Sequence, residues 1–247
     1  MGLRCVNSFN TCVVLAGGEG RRVRSLTKDQ IPKPMLPVAG KPFIEHKLAS
    51  LRRMGFNTVH LLIGHRAHVL ADFVASLSIP SLNIRTHLDG PELLGTGGSI
   101  KQQLPNLPNT FWVTYADSLT FVDFETADDV HCDFETGVMT VMENSNGSEP
   151  SNVGLSDDQR WITTYDKQTT HKSLNWIDFG LLRLNAQHFA DAQETKFDLS
   201  SVLLGLIRKK QLRSLITKNQ YFDIGTEATY AETNRIASAQ GSSSWWN

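Results

Sequence analysis

Short apolar runs alternate with longer amphipathic stretches through the first half of the chain. The runs are rich in β-branched residues and match buried parallel strands, whereas the amphipathic stretches repeat apolar residues at roughly helical spacing. We therefore predict strands at 12–15, 58–63, 83–87 and 110–115, and helices at 42–54, 65–76 and 99–104. Ser99 is the predicted N-cap of the last helix. Strands that alternate with helices in this way indicate a parallel sheet with right-handed crossovers.

The pattern changes after Asp117. Strand-like stretches at 137–142, 161–165 and 175–184 follow with little helix between them, which favours antiparallel additions. A helix is predicted at 199–209. The fold class is therefore α/β, with a Rossmann-like mixed, mainly parallel sheet flanked by helices. We predict one domain over 1–240 and a disordered tail at 241–247, where serines precede a pair of tryptophans.

The net charge, the lengths of the apolar stretches and the cysteine content indicate which partners and which cellular compartment to expect. The 247 residues carry a formal net charge of -1, which argues against a general nucleic-acid binder. No stretch approaches the roughly 20 apolar residues of a membrane span, so no membrane partner is expected. The three cysteines form no CxxC pair and fit neither a disulfide framework nor a zinc site. They suggest a reducing environment and hence a cytoplasmic protein.

A glycine-rich loop follows the first predicted strand. It comprises Leu15, Ala16, Gly17, Gly18, Glu19, Gly20, Arg21 and Arg22. Its glycines allow backbone N–H groups to approach an oxyanion, and arginine forks suit phosphate oxygens. The plainer alternative is a tight turn at a sheet edge. The GxGxxG spacing of dinucleotide sites is broken here, and the Gly-Lys-Ser/Thr ending of a P-loop is missing.

A second motif, Pro-Lys-Pro-Met-Leu-Pro at residues 32–37, follows this loop. LAGGxG followed by PKP and two apolar residues resembles the signature of the sugar-phosphate nucleotidyltransferases, which have the nucleotide-diphospho-sugar transferase fold. The resemblance continues through Gly-Thr-Gly-Gly at 95–98, Tyr-Ala-Asp at 115–117 and Phe-Asp-Ile-Gly-Thr at 222–226, and so covers nearly the full length. Among the subgroups, the chain looks closest to heptose 1-phosphate guanylyltransferase-like enzymes.

The resemblance implies that a sugar phosphate oxygen attacks the α-phosphorus of a nucleoside triphosphate and pyrophosphate leaves. Arg22 matches the arginine that neutralises the pyrophosphate, and Lys33 matches the lysine that contacts the α-phosphate and the sugar phosphate. Asp117 and Asp223 match two aspartates that clamp one catalytic Mg2+. Asp117 also follows an apolar strand, and such strand ends are where open α/β sheets bind ligands. An aspartate after a strand is otherwise often a turn former or a helix cap.

Further residues would hold the two substrates. The nucleotide would contact residues 15–21 of the loop together with Gly95, Thr96 and Gly97, although these glycines also fit a plain helix N-terminus. The sugar phosphate would contact Gly154, Asp166, Lys167, Asp178 and Gly180. Lys167 can supply a point charge, or it can be a surface turn lysine. The family commonly forms dimers or tetramers, so a homo-oligomer is also expected.

Three positions depart from the family pattern. Arg21 stands where Thr or Ser is usual, Ala116 stands where a glycine commonly precedes the aspartate, and Glu227 takes the place of a proline. Arg21 puts ordinary nucleotide binding in doubt because it adds bulk and charge beside the triphosphate. Two alternatives stay open: a cytidylyltransferase acting on phosphocholine or a similar ester, and a non-catalytic nucleotide-sugar-binding subunit.

Overall fold

The structure is a computed structural model that describes residues 10–90, 92–122, 124, 135–144, 150–166 and 174–240. Its helices and strands are, in chain order, β1 (Thr11–Ala16), α1 (Arg24–Thr27), β2 (Pro37–Val38), β3 (Lys41–Pro42), α2 (Phe43–Arg53), β4 (Thr58–Ile63), α3 (Ala67–Ser76), β5 (Asn83–Leu88), α4 (Gly95–Gln103), β6 (Thr110–Tyr115), β7 (Ser118–Leu119), β8 (Gly137–Glu143), β9 (Val153–Leu155), β10 (Ile162–Tyr165), β11 (Trp176–Asn185), α5 (Ser200–Arg208), β12 (Leu212–Thr217), β13 (Phe222–Asp223) and α6 (Glu227–Gln240). No helix within these described ranges is both long and apolar enough to cross a bilayer.

The chain divides into two compact units that interleave along the sequence. The first unit comprises Asn10–Leu93, Thr114–Phe121 and the chain from Gln220 onward. The second comprises Leu94–Val113 and Val122–Asn219. The single domain expected over 1–240 stays a prediction, and the expected tail at 241–247 lies outside the described residues.

The first unit is built on three parallel strands. β1 pairs with β4 and β4 pairs with β5, in parallel and without a register break. The helix α2 directly follows β3 and ends before Gly55, whose φ of +96° is one that a glycine adopts without strain. The buried side chains of one cluster join the β2–β3 hairpin, α2, β7, β13 and α6: Val23, Leu36, Val38, Phe43, Leu119, Phe222, Ile224 and Ala237.

The second unit contains the antiparallel additions. β11 pairs antiparallel with β8 and β9, β9 pairs antiparallel with β10, and β12 adds a parallel pair on β8. The helix α5 buries Val202, Leu203 and Leu206. The apolar face of this helix therefore closes the core of the second unit.

The predicted strands at 58–63 and 110–115 match β4 and β6 at both ends, but the predicted helix at 99–104 begins too late. α4 begins at Gly95, so Ser99 lies inside it and is not its N-cap. The carbonyl of Phe197 accepts hydrogen bonds from the N–H groups of Gly97 and Gly98 at 3.0 and 3.2 Å. A segment about a hundred residues further along the chain thus satisfies the donors that a capping side chain would otherwise bind.

Gly98 is expected to be intolerant of a side chain. A Cβ there would lie 2.2 Å from the carbonyl oxygen of Thr195, a backbone atom that cannot rotate away. We expect Gly98→Ala to lower the free energy of unfolding by about 1–3 kcal/mol through overpacking, as measured by urea denaturation.

Gly205 in α5 provides the matched control for that substitution. The nearest atom to a Cβ at Gly205 is the Arg208 guanidinium, 3.9 Å away. Gly205→Ala should therefore raise the free energy of unfolding by about 0.5–1 kcal/mol, because alanine loses less backbone entropy than glycine. Equal shifts in the two variants would contradict the tight contact at Gly98.

The stacked pair His60 and His87 predicts a loss of stability in acid. Their rings are 2° from parallel, and His60 Nδ1 lies 3.0 Å from His87 Nε2. Burial lowers the pKa of His60 from 6.5 to about 4. The unfolded chain therefore binds this proton at a higher pH than the folded chain does. The free energy of unfolding is unaffected by His60 protonation above about pH 6.5, and it decreases as the pH falls from there toward 4.

We expect His60→Phe to reduce this acid sensitivity while keeping an aromatic ring over His87. Urea midpoints of wild type and variant at pH 7, 5.5 and 4.5 measure the effect. The midpoint of the wild type should fall more steeply with decreasing pH than that of the variant. Parallel midpoint curves would rule out His60 as the responsible group.

Candidate functional site

The glycine-rich loop leaves the carboxyl end of β1 and is anchored on both sides within the first unit. Leu15 and Ala16 are buried. The carbonyl of Leu15 accepts a hydrogen bond from the Ala116 N–H at 3.0 Å, and the carbonyl of Gly17 accepts one from the His65 N–H at 3.2 Å. The loop therefore begins from a fixed strand end, as an anion-binding loop requires.

Two glycines of the loop serve different purposes. A Cβ at Gly18 would meet nothing within 4 Å, so the backbone there is open to a ligand. Gly20 has a φ of +64°, and a Cβ there would lie 3.2 Å from the Cβ of Lys33. The tight turn and the approach to Lys33 both need glycine at position 20. The turn interpretation and the phosphate-binding interpretation are thus compatible.

The two arginines that end the loop differ in their partners. The Arg21 Nε donates to Glu19 Oε2 at 2.5 Å, and the Arg21 side chain is 80% exposed. This pair lowers the pKa of Glu19. Arg22 is exposed and has no hydrogen-bond or ion-pair partner among the described residues. Because Arg21 pairs with Glu19 in its own loop, Arg22 is the one of these two arginines that is available to a ligand.

Lys33 and Asp117 form the central contact of the site. The Lys33 side chain is 10% exposed, and its Nζ donates to Asp117 Oδ2 at 2.6 Å. Pro32 before it is extended, and Lys33 opens a short 3-10 turn that runs to Met35. The flanking prolines restrict the backbone and aim the side chain. The two predicted motifs, distant in sequence, therefore meet at one ion pair.

Asp223 is held next to Asp117 by a short antiparallel pair. Asp223 is in register with Ser118, and the Ile224 N–H donates to the Asp117 carbonyl at 2.9 Å. The Thr229 hydroxyl donates to Asp223 Oδ1 at 2.8 Å, and the Gly225 N–H donates to the same oxygen. Thr229 was not identified from the sequence, because it belongs to no recognised motif. In the structure it lies in the first turn of α6.

The two aspartates fit a magnesium ion. Among the described residues, Asp117 Oδ1 and Asp223 Oδ2 accept no hydrogen bond, so each carboxylate keeps one oxygen for a cation. No group of three or more His, Cys, Asp or Glu side chains that could hold a metal occurs in the described ranges. Mg2+ commonly takes one or two carboxylates and completes its shell with phosphate oxygens and water.

Arg22 lies close to Asp223 and Gly225. A Cβ at Gly225 would lie 2.6 Å from Asp223 Oδ1 and 3.8 Å from the Arg22 guanidinium. Any side chain at Gly225 would therefore push into the aspartate. The first unit thus brings together the loop and all four predicted catalytic residues.

The residues predicted to read the base lie at the start of α4 in the second unit. The Thr96 hydroxyl donates to Asp198 Oδ2 at 3.0 Å and accepts from the Leu199 N–H at 2.8 Å. A Cβ at Gly97 would lie 2.3 Å from the Phe197 ring, and one at Gly95 would lie 2.6 Å from the Phe197 carbonyl oxygen. These contacts account for the residue types by packing. Base recognition by Gly95, Thr96 and Gly97 stays a prediction.

Four of the five residues predicted to hold the sugar phosphate are described, and they lie on β9, directly after β10 and on β11. Asp178 Oδ2 accepts from the Tyr165 hydroxyl at 3.0 Å, and Asp178 Oδ1 accepts from the Gly180 N–H at 2.9 Å. The Asp166 N–H and the Asp178 N–H both bond to Asn152, at its carbonyl and its side chain. Asn152 is therefore a second residue that sequence reasoning did not include. Gly154 lies on β9, and Lys167 lies outside the described residues.

Known proteins resemble this chain over nearly its whole length. Residues 12–173 match the family model of the MobA-like NTP transferase domain. A D-glycero-α-D-manno-heptose 1-phosphate guanylyltransferase of Campylobacter jejuni is 27% identical over 219 residues, 88% of this chain and 96% of that protein. An N-acetylmuramate α-1-phosphate uridylyltransferase of Neisseria meningitidis is 27% identical over 231 residues, 92% of this chain and 98% of that protein. The crystal structure of HddC from Yersinia pseudotuberculosis complexed with GMP-PN has a TM-score of 0.77 at 23% identity, over 92% of this chain and 98% of that one.

These likenesses confirm the resemblance predicted from the paired motifs. The structural match confirms the fold class, a mixed, mainly parallel sheet flanked by helices of the nucleotide-diphospho-sugar transferase type.

Proposed function

Because this chain belongs to the MobA-like NTP transferase domain family, we propose that it transfers a nucleoside monophosphate from an NTP to a sugar 1-phosphate. An oxygen of the sugar phosphate forms a bond to the α-phosphorus, the bond from that phosphorus to the bridging oxygen breaks, and pyrophosphate leaves. The observation that carries the proposal is the 2.6 Å contact between Lys33 and Asp117 beside the glycine-rich loop. Lys33 supplies a cation for phosphate oxygens, Asp117 supplies a carboxylate for a metal, and the contact holds the two groups side by side.

The residues of the first unit divide the work by charge. The open backbone at Gly18 donates N–H groups to the triphosphate, and Arg22 offsets the charge of the departing pyrophosphate. Lys33 contacts the α-phosphate and the incoming sugar phosphate, so it draws two anions together. Gly20 keeps Lys33 against the loop.

Asp117 and Asp223 would hold Mg2+ through the oxygens that accept no hydrogen bond from the described residues. When bound, Mg2+ supplies positive charge that stabilises phosphate oxygens during transfer. Thr229 and the Gly225 N–H keep Asp223 oriented, which leaves its second oxygen for the metal.

For the substrates, we propose GTP and a heptose or hexose 1-phosphate. The support is the heptose 1-phosphate guanylyltransferase relative and the GMP-PN complex of HddC. The sugar phosphate would bind at Gly154, Asp166, Lys167, Asp178 and Gly180. One carboxylate oxygen of Asp178 accepts a hydrogen bond from Tyr165 and the other accepts one from Gly180. Asp178 therefore also has a structural role, because it links β10 to β11. Cytoplasmic location and a homo-oligomer stay predictions.

A substrate panel tests the proposal. Pyrophosphate release is measured with GTP, UTP, CTP and dTTP, each against heptose and hexose 1-phosphates and phosphocholine, with Mg2+ present. We expect turnover with a sugar 1-phosphate, a nucleotide sugar as the product by mass spectrometry, and the fastest rate with GTP. Turnover with CTP and phosphocholine alone would identify a cytidylyltransferase. Tight binding without turnover for any pair would identify a non-catalytic binding subunit.

A further inference from the structure

A lysine is fully buried beneath the Asp117 turn. Lys47 lies on α2 in the first unit and is 0% exposed. Its Nζ donates to Thr114 Oγ1 at 2.8 Å and lies 3.5 Å from Thr120 Oγ1. An isolated ammonium costs much free energy to bury. A lysine kept in this place therefore calls for a reason other than filling the core.

Two ionisable groups partly offset the effect of burial on the Lys47 ammonium. Burial lowers the pKa of Lys47 to about 8, against the opposing influence of Cys12 and Asp117. Burial also raises the pKa of the Cys12 thiol to about 12, so Cys12 is neutral at pH 7.

The positions of the two threonines give the lysine a task. Thr114 is the last residue but one of β6, three residues before Asp117, and Thr120 directly follows β7, three residues after Asp117. One ammonium thus lies against both ends of the segment that carries the aspartate. Ser50, one turn along α2 from Lys47, adds a contact at 3.5 Å to the carbonyl of Thr120. The segment is held from below by α2 while Lys33 contacts its carboxylate directly.

We propose that Lys47 is a positioning residue for Asp117: it ties Thr114 to Thr120 and so fixes the turn that presents the metal-binding carboxylate. The proposal rests on the proposed function in that Asp117 is taken as a metal ligand. The competing interpretation is that Lys47 acts only through its charge or only as core volume.

Lys47→Met in the full chain separates these interpretations, because positioning predicts weaker Mn2+ binding, charge alone predicts tighter binding and core volume alone predicts no change. Methionine keeps most of the volume, and replacing a buried charge by an apolar group is often neutral or stabilising. We expect an unchanged or higher thermal midpoint, a kcat about tenfold lower and a KM for the NTP within about twofold. Mn2+ binding with a non-hydrolysable NTP analogue, measured by electron paramagnetic resonance, should weaken about fivefold. Charge alone predicts the reverse, since removing a nearby cation tightens Mn2+ binding.

Leu48→Ala is the matched control on the same helix. Leu48 is fully buried, so its truncation should lower the thermal midpoint without changing Mn2+ affinity or kcat. Thr114→Val removes the partner hydroxyl at nearly equal volume and should resemble Lys47→Met, while Thr114→Ser keeps a hydroxyl and should retain wild-type values. Combining Lys47→Met with Thr114→Val should add little to either alone, because both break one contact.

If Lys47→Met does not fold, Thr114→Val and Thr120→Val decide the matter through the same measurements. Wild-type kcat and Mn2+ affinity in the folded variants would overturn the proposal, as would tighter Mn2+ binding. A wild-type protein without turnover on the substrate panel would count against the proposed function alone. The Mn2+ measurement would still test Lys47 in that case.

Discussion

Asp117→Asn should lower kcat by at least about 10²–10³-fold, because the variant loses a metal ligand charge where phosphate charge must be stabilised. Asparagine has nearly the same shape, and the Asp117 side chain is 35% exposed. The free energy of unfolding should therefore change by less than about 1 kcal/mol. Pyrophosphate release at saturating substrates and a urea titration measure the two quantities on the same preparation.

Asp191→Asn is the control for that substitution. The Asp191 side chain is 80% exposed and pairs with Lys209 in the second unit, and neither residue is among those predicted for the site. Its kcat should stay within about twofold of wild type, as expected for a surface ion pair. Wild-type rates for Asp117→Asn with magnesium present would remove Asp117 from the metal site.

Lys33→Met should lower kcat/KM by about 10²–10³-fold, since a preorganised cation is lost at the transferred phosphate. Methionine preserves the aliphatic stem that packs on Gly20. The loop should therefore keep its conformation, and the loss should appear with every NTP tested. Lys33→Arg should restore little of the activity, because a guanidinium is larger and the site is 10% exposed.

Lys41→Met provides the comparison nearby in the chain. Lys41 is 49% exposed and pairs with Glu45 on the surface. Steady-state kinetics should show this variant within about twofold of wild type. If Lys41→Met and Lys33→Met lost activity equally, the effect would be a general loss of positive charge and not the Lys33 contact.

The sequence predicts well those helices and strands whose bounds depend on their own residues and not on contacts with distant parts of the chain. β4 and β6 consist mainly of apolar and β-branched residues and are buried nearly throughout. The start of α4 was wrong because Phe197, far along the chain, supplies its capping carbonyl. α6 was not predicted, and it buries only Thr233 and Ala237, so it lacks the apolar stripe by which helices are found.

The residues of the candidate site also divide into those that local motifs identify and those that depend on tertiary contacts. Motif order identified Lys33, Asp117 and Asp223, and the structure brings them together in one unit. Thr229 and Lys47 act through contacts that no motif marks. A signal for Lys47 was present nonetheless: it sits four residues from both Phe43 and Leu51, on the buried face of α2.

The interleaving of the two units has a consequence for the order in which this protein can mature. The first unit draws its last part from the chain beyond Gln220, which includes β13, Asp223 and α6. During synthesis the glycine-rich loop and Lys33 leave the ribosome almost two hundred residues before Asp223 does. A nascent or prematurely ended chain can therefore present the loop without the pair of carboxylates, and catalytic competence requires that the segment beyond Gln220 has been synthesised.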